Sequence, residues 1–191
     1  YLLITPLQIA RMVGAVANGG NLYRPYLIER IAAGEAGEPE EVTRPNVVGQ
    51  LPVSDADLAV IQAAMLGVTT NPAIGTATHR FRGLDIPIAG KTGTAETARE
   101  TDQPHSWFAG YFPADDPEIA MVVIAEHAGE GSTVAAPLFR QILEGYYGLP
   151  ITPLSPPPPP PPRETNPPPQ TPPPPTLCPL SPPTFYNKRA P

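Results

Sequence analysis

The stretch Ala89-Gly90-Lys91-Thr92-Gly93-Thr94-Ala95-Glu96 decides how this chain is read, because packing alone does not explain its composition. It gathers a cation, two hydroxyls and a residue without a side chain at the end of a predicted strand, Leu84 to Gly90. Gly90-Lys91-Thr92 copies the last three positions of a phosphate-binding loop, but the spacing fails. That loop needs a glycine five residues before Gly90, where Asp85 stands, and a helix after the Lys-Thr pair, where Gly93 stands. On a strand, alternate side chains share a face, so Lys91 and Gly93 point one way and Thr92 and Thr94 the other. At an active-site edge Gly93 would admit a ligand backbone, Lys91 would set a positive potential, and a threonine hydroxyl would receive a carboxylate. Edge N–H groups would stabilise an oxyanion. A glycine-rich turn with a solvated lysine fits the tetrapeptide equally well, so the surrounding chain has to decide.

Downstream, Trp107 to Phe112 and Ile119 to Glu126 are short β-branched or aromatic runs joined by Pro113-Ala114-Asp115-Asp116-Pro117. They predict an antiparallel hairpin, with Leu84 to Gly90 as a neighbouring strand across the polar loop Glu96 to His105. Ile119 to Ala125 is apolar without alternation, which predicts a strand covered on both faces. Val134 to Tyr147, stopped by Gly148 and Pro150, predicts a closing helix. Upstream, Thr5 as N-cap, Pro6 at the first helical position and Gln8 in a capping box predict a helix to about Ala17. Its apolar stripe is Ile9, Met12, Val13 and Val16, and Asn18-Gly19-Gly20 is its left-handed stop. Leu22 to Ile31 reads as an extended stretch broken at Pro25, followed by an exposed acidic loop from Ala32 to Pro45. Ser54 caps a second helix ending near Thr70, with Leu58, Ile61, Met65 and Val68 on one face. The expected class is α+β, an antiparallel sheet with helices packed on it.

Composition divides the chain in two. Twelve of the 31 prolines lie in residues 1–150 and 19 in residues 151–191. The first part is expected to hold one folded core, the second to be a disordered or semi-rigid tail in extended polyproline II. Residues 1–150 carry 9 Lys and Arg against 17 Asp and Glu, net −8, which argues against nucleic acid because no basic stripe faces phosphates. The longest wholly apolar run, Ile119 to Ala125, is seven residues, against roughly 20 for a membrane-spanning helix. Tyr1 follows no Met and no leader pattern, so the true N-terminus is expected further upstream.

Other candidates carry weaker signals. His79, His105 and His127 lack zinc spacing and the body has no cysteine, so no metal site is expected. His105 reads as a polar residue at a strand start, and Trp107, Phe108, Tyr111 and Phe112 read as structural aromatics on both faces of a strand. Glu96 begins a polar loop, and Ala98 to His105 would border a cleft as a flexible lip. Cys178 is isolated in the tail. The proline tracts Pro156 to Pro162 and Pro172 to Pro175 read as a spacer, with a polyproline-binding partner as the alternative.

Lys91-Thr92-Gly93 resembles the third signature of the penicillin-binding and serine β-lactamase group, whose other signatures are Ser-x-x-Lys and Ser-x-Asn. KTGTAE at 91–96 and HSWFAGYFP at 105–113 resemble the transpeptidase domain of class B penicillin-binding proteins. YLLITPLQIARMVGAVANGG at 1–20 and GSTVAAPLFRQIL at 131–143 resemble the same family, nearest its elongation-type, penicillin-binding protein 2-like members. Ser54, Ser106, Ser132, Ser155 and Ser181 are none of them followed by Lys three residues on or by Asn two residues on. The resemblance therefore implies the C-terminal part of a transpeptidase domain whose nucleophile lies upstream, inactive by itself.

What the resemblance implies for the whole enzyme is a peptidoglycan D,D-transpeptidase working through a serine acyl-enzyme. Lys91 would assist proton movement, Thr92, Gly93 and Thr94 would line the carboxylate and acyl site, and the Thr94 backbone N–H would be one of two oxyanion donors. Implied partners are stem peptides, β-lactams and cell-wall synthesis proteins. The implied location is the outer face of a bacterial cytoplasmic membrane, through an upstream anchor. A D,D-carboxypeptidase or serine β-lactamase is the enzymatic alternative, and a non-catalytic sensor or proline-tail interaction module the other.

Overall fold

The computed structural model describes residues 3–33, 40–97 and 103–154. The first helix, α1 (Pro6–Ala17), forms where its caps place it: Gln8 N–H donates to Thr5 Oγ1 at 3.3 Å, and Thr5 N–H donates to Gln8 Oε1 at 2.8 Å. It stops because Gly19 and Gly20 adopt φ of 82° and 96°, and Gly20 N–H returns to Ala15 O at 2.7 Å. That is the 6→1 closure a left-handed glycine allows. Val13, Ala15 and Val16 are its buried positions. Met12, expected in the stripe, is instead exposed.

Between α1 and the second helix the chain makes two small antiparallel pairs. The strands are β1 (Asn21–Tyr23), β2 (Arg30–Ile31), β3 (Glu41–Val42) and β4 (Val47–Gln50), paired β1 with β4 and β2 with β3. The expected loop from Ala32 to Pro45 thus contains a strand, β3, although its described side chains are exposed as anticipated. Helix α2 (Asp55–Thr70) starts at Ser54, whose Oγ accepts from Asp57 N–H at 3.1 Å. Its inward face is Leu58, Gln62, Met65, Leu66 and Thr69, with Gln62 Nε2 donating to Val16 O of α1 at 2.7 Å. Ile61 falls just outside that face and is exposed, against expectation. A short helix, α3 (Thr78–Phe81), was not anticipated.

The central sheet is β5 (Ala89–Ala95), β6 (His105–Phe112) and β7 (Ile119–Ala125), antiparallel in that order. The expected strand from Leu84 to Gly90 is corrected: pairing begins only at Ala89. Pro87 has no N–H to give a ladder, and its carbonyl is taken by Ala114 N–H at 2.8 Å. Helix α4 (Ala135–Tyr146) closes the unit. On one side of the sheet Phe108, Phe112 and Val123 pack with Phe81, Phe139 and Leu143; on the other Ala89 and Tyr111 pack with Val13, Val16 and Leu58. Phe139 meets Phe108 and Phe112 edge-on, at 4.8 and 5.6 Å between ring centroids. Gly90 and Gly110 face each other across the ladder, and a Cβ on Gly90 would stand 2.5 Å from the Phe108 ring. The glycine pair is what lets that ring lie across the sheet. Helices flank β7 from both sides as expected, yet of its residues only Val123 is buried, because β7 is an outer strand.

At the end of α4, Glu144 is 2 % exposed and accepts from Arg140 Nε, Thr152 N–H and Thr152 Oγ1, each at 2.6 Å. Burial pushes the Glu144 carboxyl up, but the Thr152 hydroxyl and N–H and the Arg140 guanidinium outweigh it and hold the group below the ordinary carboxylate value. Apart from residues 151–154, the proline-rich stretch and Cys178 lie outside the described residues.

Candidate active site

The residues singled out for chemistry lie on β5, the outer strand opposite β7. Its register with β6 sets Lys91 against Ala109, Thr92 against Phe108, Gly93 against Trp107 and Thr94 against Ser106. Thr92 and Thr94 therefore share the α4 side with Phe108 and Ser106, while Lys91 and Gly93 share the α1 and α2 side with Trp107 and Tyr111. Lys91 is exposed and its Nζ donates to Thr92 O at 2.5 Å. Tyr111 is enclosed, and burial pushes its phenol above the ordinary value.

Three side-chain contacts hold β5 along its length. Thr69 Oγ1 of α2 donates to Ile88 O at 2.5 Å where the strand begins. Thr76 and Thr92 hydroxyls meet at 2.9 Å in its middle. Thr94 Oγ1 accepts from Gly131 N–H at 3.3 Å at its far end. Ser106, fully buried, donates from Oγ to Glu130 O at 2.9 Å and accepts from Ala135 N–H at 3.0 Å, so the turn carrying Gly131 is pinned to β6. Thr69, Thr76 and Gly131 are supports that sequence reasoning missed. Their partners are 16 to 37 residues away, which no local pattern reports. Ser106 lies outside the expected strand from Trp107 to Phe112, and its pairing with Thr94 is visible only in the fold.

Gly93 has a neighbour of its own chain on its open face: a Cβ there would stand 3.2 Å from Trp107 Cβ. The Trp107 indole Nε1 is buried and meets no hydrogen-bond acceptor among the described residues. His105 opens β6, with Nδ1 accepting from His127 N–H at 3.1 Å and its ring 4.7 Å from the His127 ring, in keeping with the structural reading. Glu96 is exposed just past β5. Of the lip expected from Ala98 to His105, residues 98–102 lie outside the described residues. Among the described residues no group of three or more His, Cys, Asp or Glu is placed to hold a metal, and no helix is long and apolar enough to cross a membrane.

Residues 2–144 match the family described as the penicillin binding protein transpeptidase domain. The chain belongs to that family. Peptidoglycan D,D-transpeptidase MrdA of Haemophilus influenzae is 32% identical over 163 residues, covering 76% of this chain and 24% of that protein. Peptidoglycan D,D-transpeptidase PbpA of Mycolicibacterium smegmatis is 34% identical over 149 residues, covering 72% and 28%. Among solved structures, the imipenem acyl-enzyme complex of penicillin-binding protein A from Mycobacterium tuberculosis superposes with a TM-score of 0.62 at 30% identity, over 75% of this chain and 31% of that one. Pseudomonas aeruginosa penicillin-binding protein 2 in complex with WCK 5153 gives 0.59 at 32% identity, over 76% and 30%. The chain spans about a quarter of the length of the curated relatives it matches, so it is a partial transpeptidase domain with the family's α+β fold.

Proposed function

We propose that this chain supplies the lysine-bearing wall of the acyl site in a peptidoglycan D,D-transpeptidase, C-terminal to the serine nucleophile. The observation that carries the reading is β5 itself: an outer strand that sets Lys91, Gly93 and Thr94 along one free edge and is braced from α2, the α2–α3 linker and the turn before α4. In the complete enzyme the serine Oγ attacks the penultimate carbonyl of a stem peptide ending in D-Ala-D-Ala. A C–O bond forms, the terminal C–N bond breaks, and D-Ala leaves with a proton as the amine. An amine of a neighbouring stem then attacks the ester: a C–N bond forms, the acyl C–O bond to serine breaks, and the proton lost by the amine returns to the serine oxygen.

In that sequence Lys91 places positive charge beside the nucleophile and helps move the proton. The Thr94 backbone N–H stabilises the tetrahedral oxyanion together with the serine's own N–H, and Thr92, Gly93 and Thr94 line the donor's carboxylate and acyl groups. β-Lactams imitate the donor terminus, which the acyl-enzyme complexes of the mycobacterial relative support. Stem peptides and other cell-wall synthesis proteins are the partners, and the outer face of the cytoplasmic membrane, reached through an upstream anchor, is the location.

Fluorescent penicillin labelling of the complete polypeptide tests this. Lys91→Ala is expected to slow labelling by about 10²-fold or more, the range general acid–base groups supply. Unchanged labelling removes Lys91 from its role. A covalent adduct on residues 1–191 alone would show the nucleophile to be misplaced.

A further inference from the structure

Thr94 and Ser106 are directly opposite each other on β5 and β6, and both hold the turn that leads into α4. Ser106 both donates, to Glu130 O at 2.9 Å, and accepts, from Ala135 N–H at 3.0 Å. Between those anchors Gly131 rests on the ladder, its N–H on Thr94 Oγ1 at 3.3 Å and its carbonyl accepting from Ala136 N–H at 2.9 Å. The fit needs glycine: a Cβ there would run into Gly93 O and Trp107 O, and would stand 2.8 Å from Gly93 N. A threonine hydroxyl accepts through its lone pairs and donates one proton. With Gly131 N–H on a lone pair, the Thr94 proton is left to donate, and no described group accepts it. The residue is exposed, so that proton is available to a ligand.

We infer that Ser106 and Gly131 are positioning residues that fix the Thr94 hydroxyl as a donor to an anionic ligand group. This rests on the acyl-site reading above and adds the device that makes one of its hydroxyls selective for a carboxylate. Without the turn, the hydroxyl rotates freely and its lone pairs can face the anion, which repels it. Held in place, it is a preorganised donor and no orientation has to be found when the ligand arrives.

The test uses the complete polypeptide and two probes, a β-lactam with a free carboxylate and its methyl ester, with the acylation rate measured for each. Wild-type protein is expected to favour the carboxylate. Ser106→Ala is expected to lower the carboxylate rate about three- to tenfold, the range of one hydrogen bond to a charged group, with the ester rate unchanged. In a Thr94→Val background, Ser106→Ala is expected to change the carboxylate-to-ester ratio no further. A ratio that stays at the wild-type value, or an equal loss for both probes, overturns the inference while leaving the acyl site standing. Wild-type protein that reacts with neither probe removes both.

Discussion

Gly93 has two readings that the structure sets against each other. Beside a ligand, a missing side chain admits close approach of another backbone. Within this chain, the same absence makes room for Trp107, whose Cβ would stand 3.2 Å from a Cβ on residue 93. Contacts that tight force the neighbour to move, and overpacking of this kind costs about 1–3 kcal/mol. Gly93→Ala in the complete protein is therefore expected to lower β-lactam acylation severalfold, and adding Trp107→Gly, which removes that Cβ, is expected to restore part of it. If the double variant acylates no faster than Gly93→Ala alone, the glycine serves the ligand and not the tryptophan. The buried, unpartnered Trp107 Nε1 makes the exchange cheaper on one count, since no described hydrogen bond is lost with the indole.

Among the elements, the end of α4 offers the clearest electrostatic test. Glu144 is enclosed, and Arg140, besides meeting it at 2.6 Å, donates from Nη1 to Arg80 O at 2.8 Å and Arg82 O at 3.0 Å. One guanidinium thus ties α4 to the segment around α3, and the carboxylate orients it. Because the folded Glu144 carboxyl lies below its unfolded value, its contribution is fully present above the ordinary carboxylate range and is lost as pH falls through the folded value. Hydrogen exchange of the complete protein is expected to show α4 and residues 149–152 losing protection together below about pH 4. Glu144→Gln is expected to lose about 2 kcal/mol of that local stability at neutral pH and to flatten its pH dependence. Protection independent of pH between 3 and 7, read at roughly those values, would contradict the assignment.

This cluster also marks where the sequence stops being legible. The caps of α1 and α2 and the stop of α4 could be read from neighbouring residues, because an N-cap hydroxyl or a left-handed glycine acts within one turn. The β6–β7 hairpin could be read from its bounded apolar runs. The start of β5, the strands β3 and β4 and the braces from Thr69, Thr76 and Gly131 could not, since each depends on a partner brought near only by the fold.

At the scale of the whole molecule, the apolar surface is larger than the described packing explains. Leu7 on α1 is 62% exposed, Val60 on α2 is 68% and Leu27 beside β2 is 102%, and Met12, Tyr26, Ile28, Ile31 and Ile61 are exposed with them. Soluble monomers rarely leave contiguous apolar patches of more than a few hundred Å² uncovered. The chain also spans only 24% of the H. influenzae relative, so most of that protein lies outside the matched stretch. Residues 1–191 expressed alone are therefore expected to self-associate, sedimenting well above 20.3 kDa and binding an apolar dye. Replacing Leu7 and Val60 by Lys is expected to reduce both signals in the isolated chain, because each places a charge where association would bury it. In the complete protein the same pair is expected to slow penicillin labelling. A monodisperse 20.3 kDa species without dye binding, or a complete protein indifferent to both lysines, would show that α1 and α2 need no further cover.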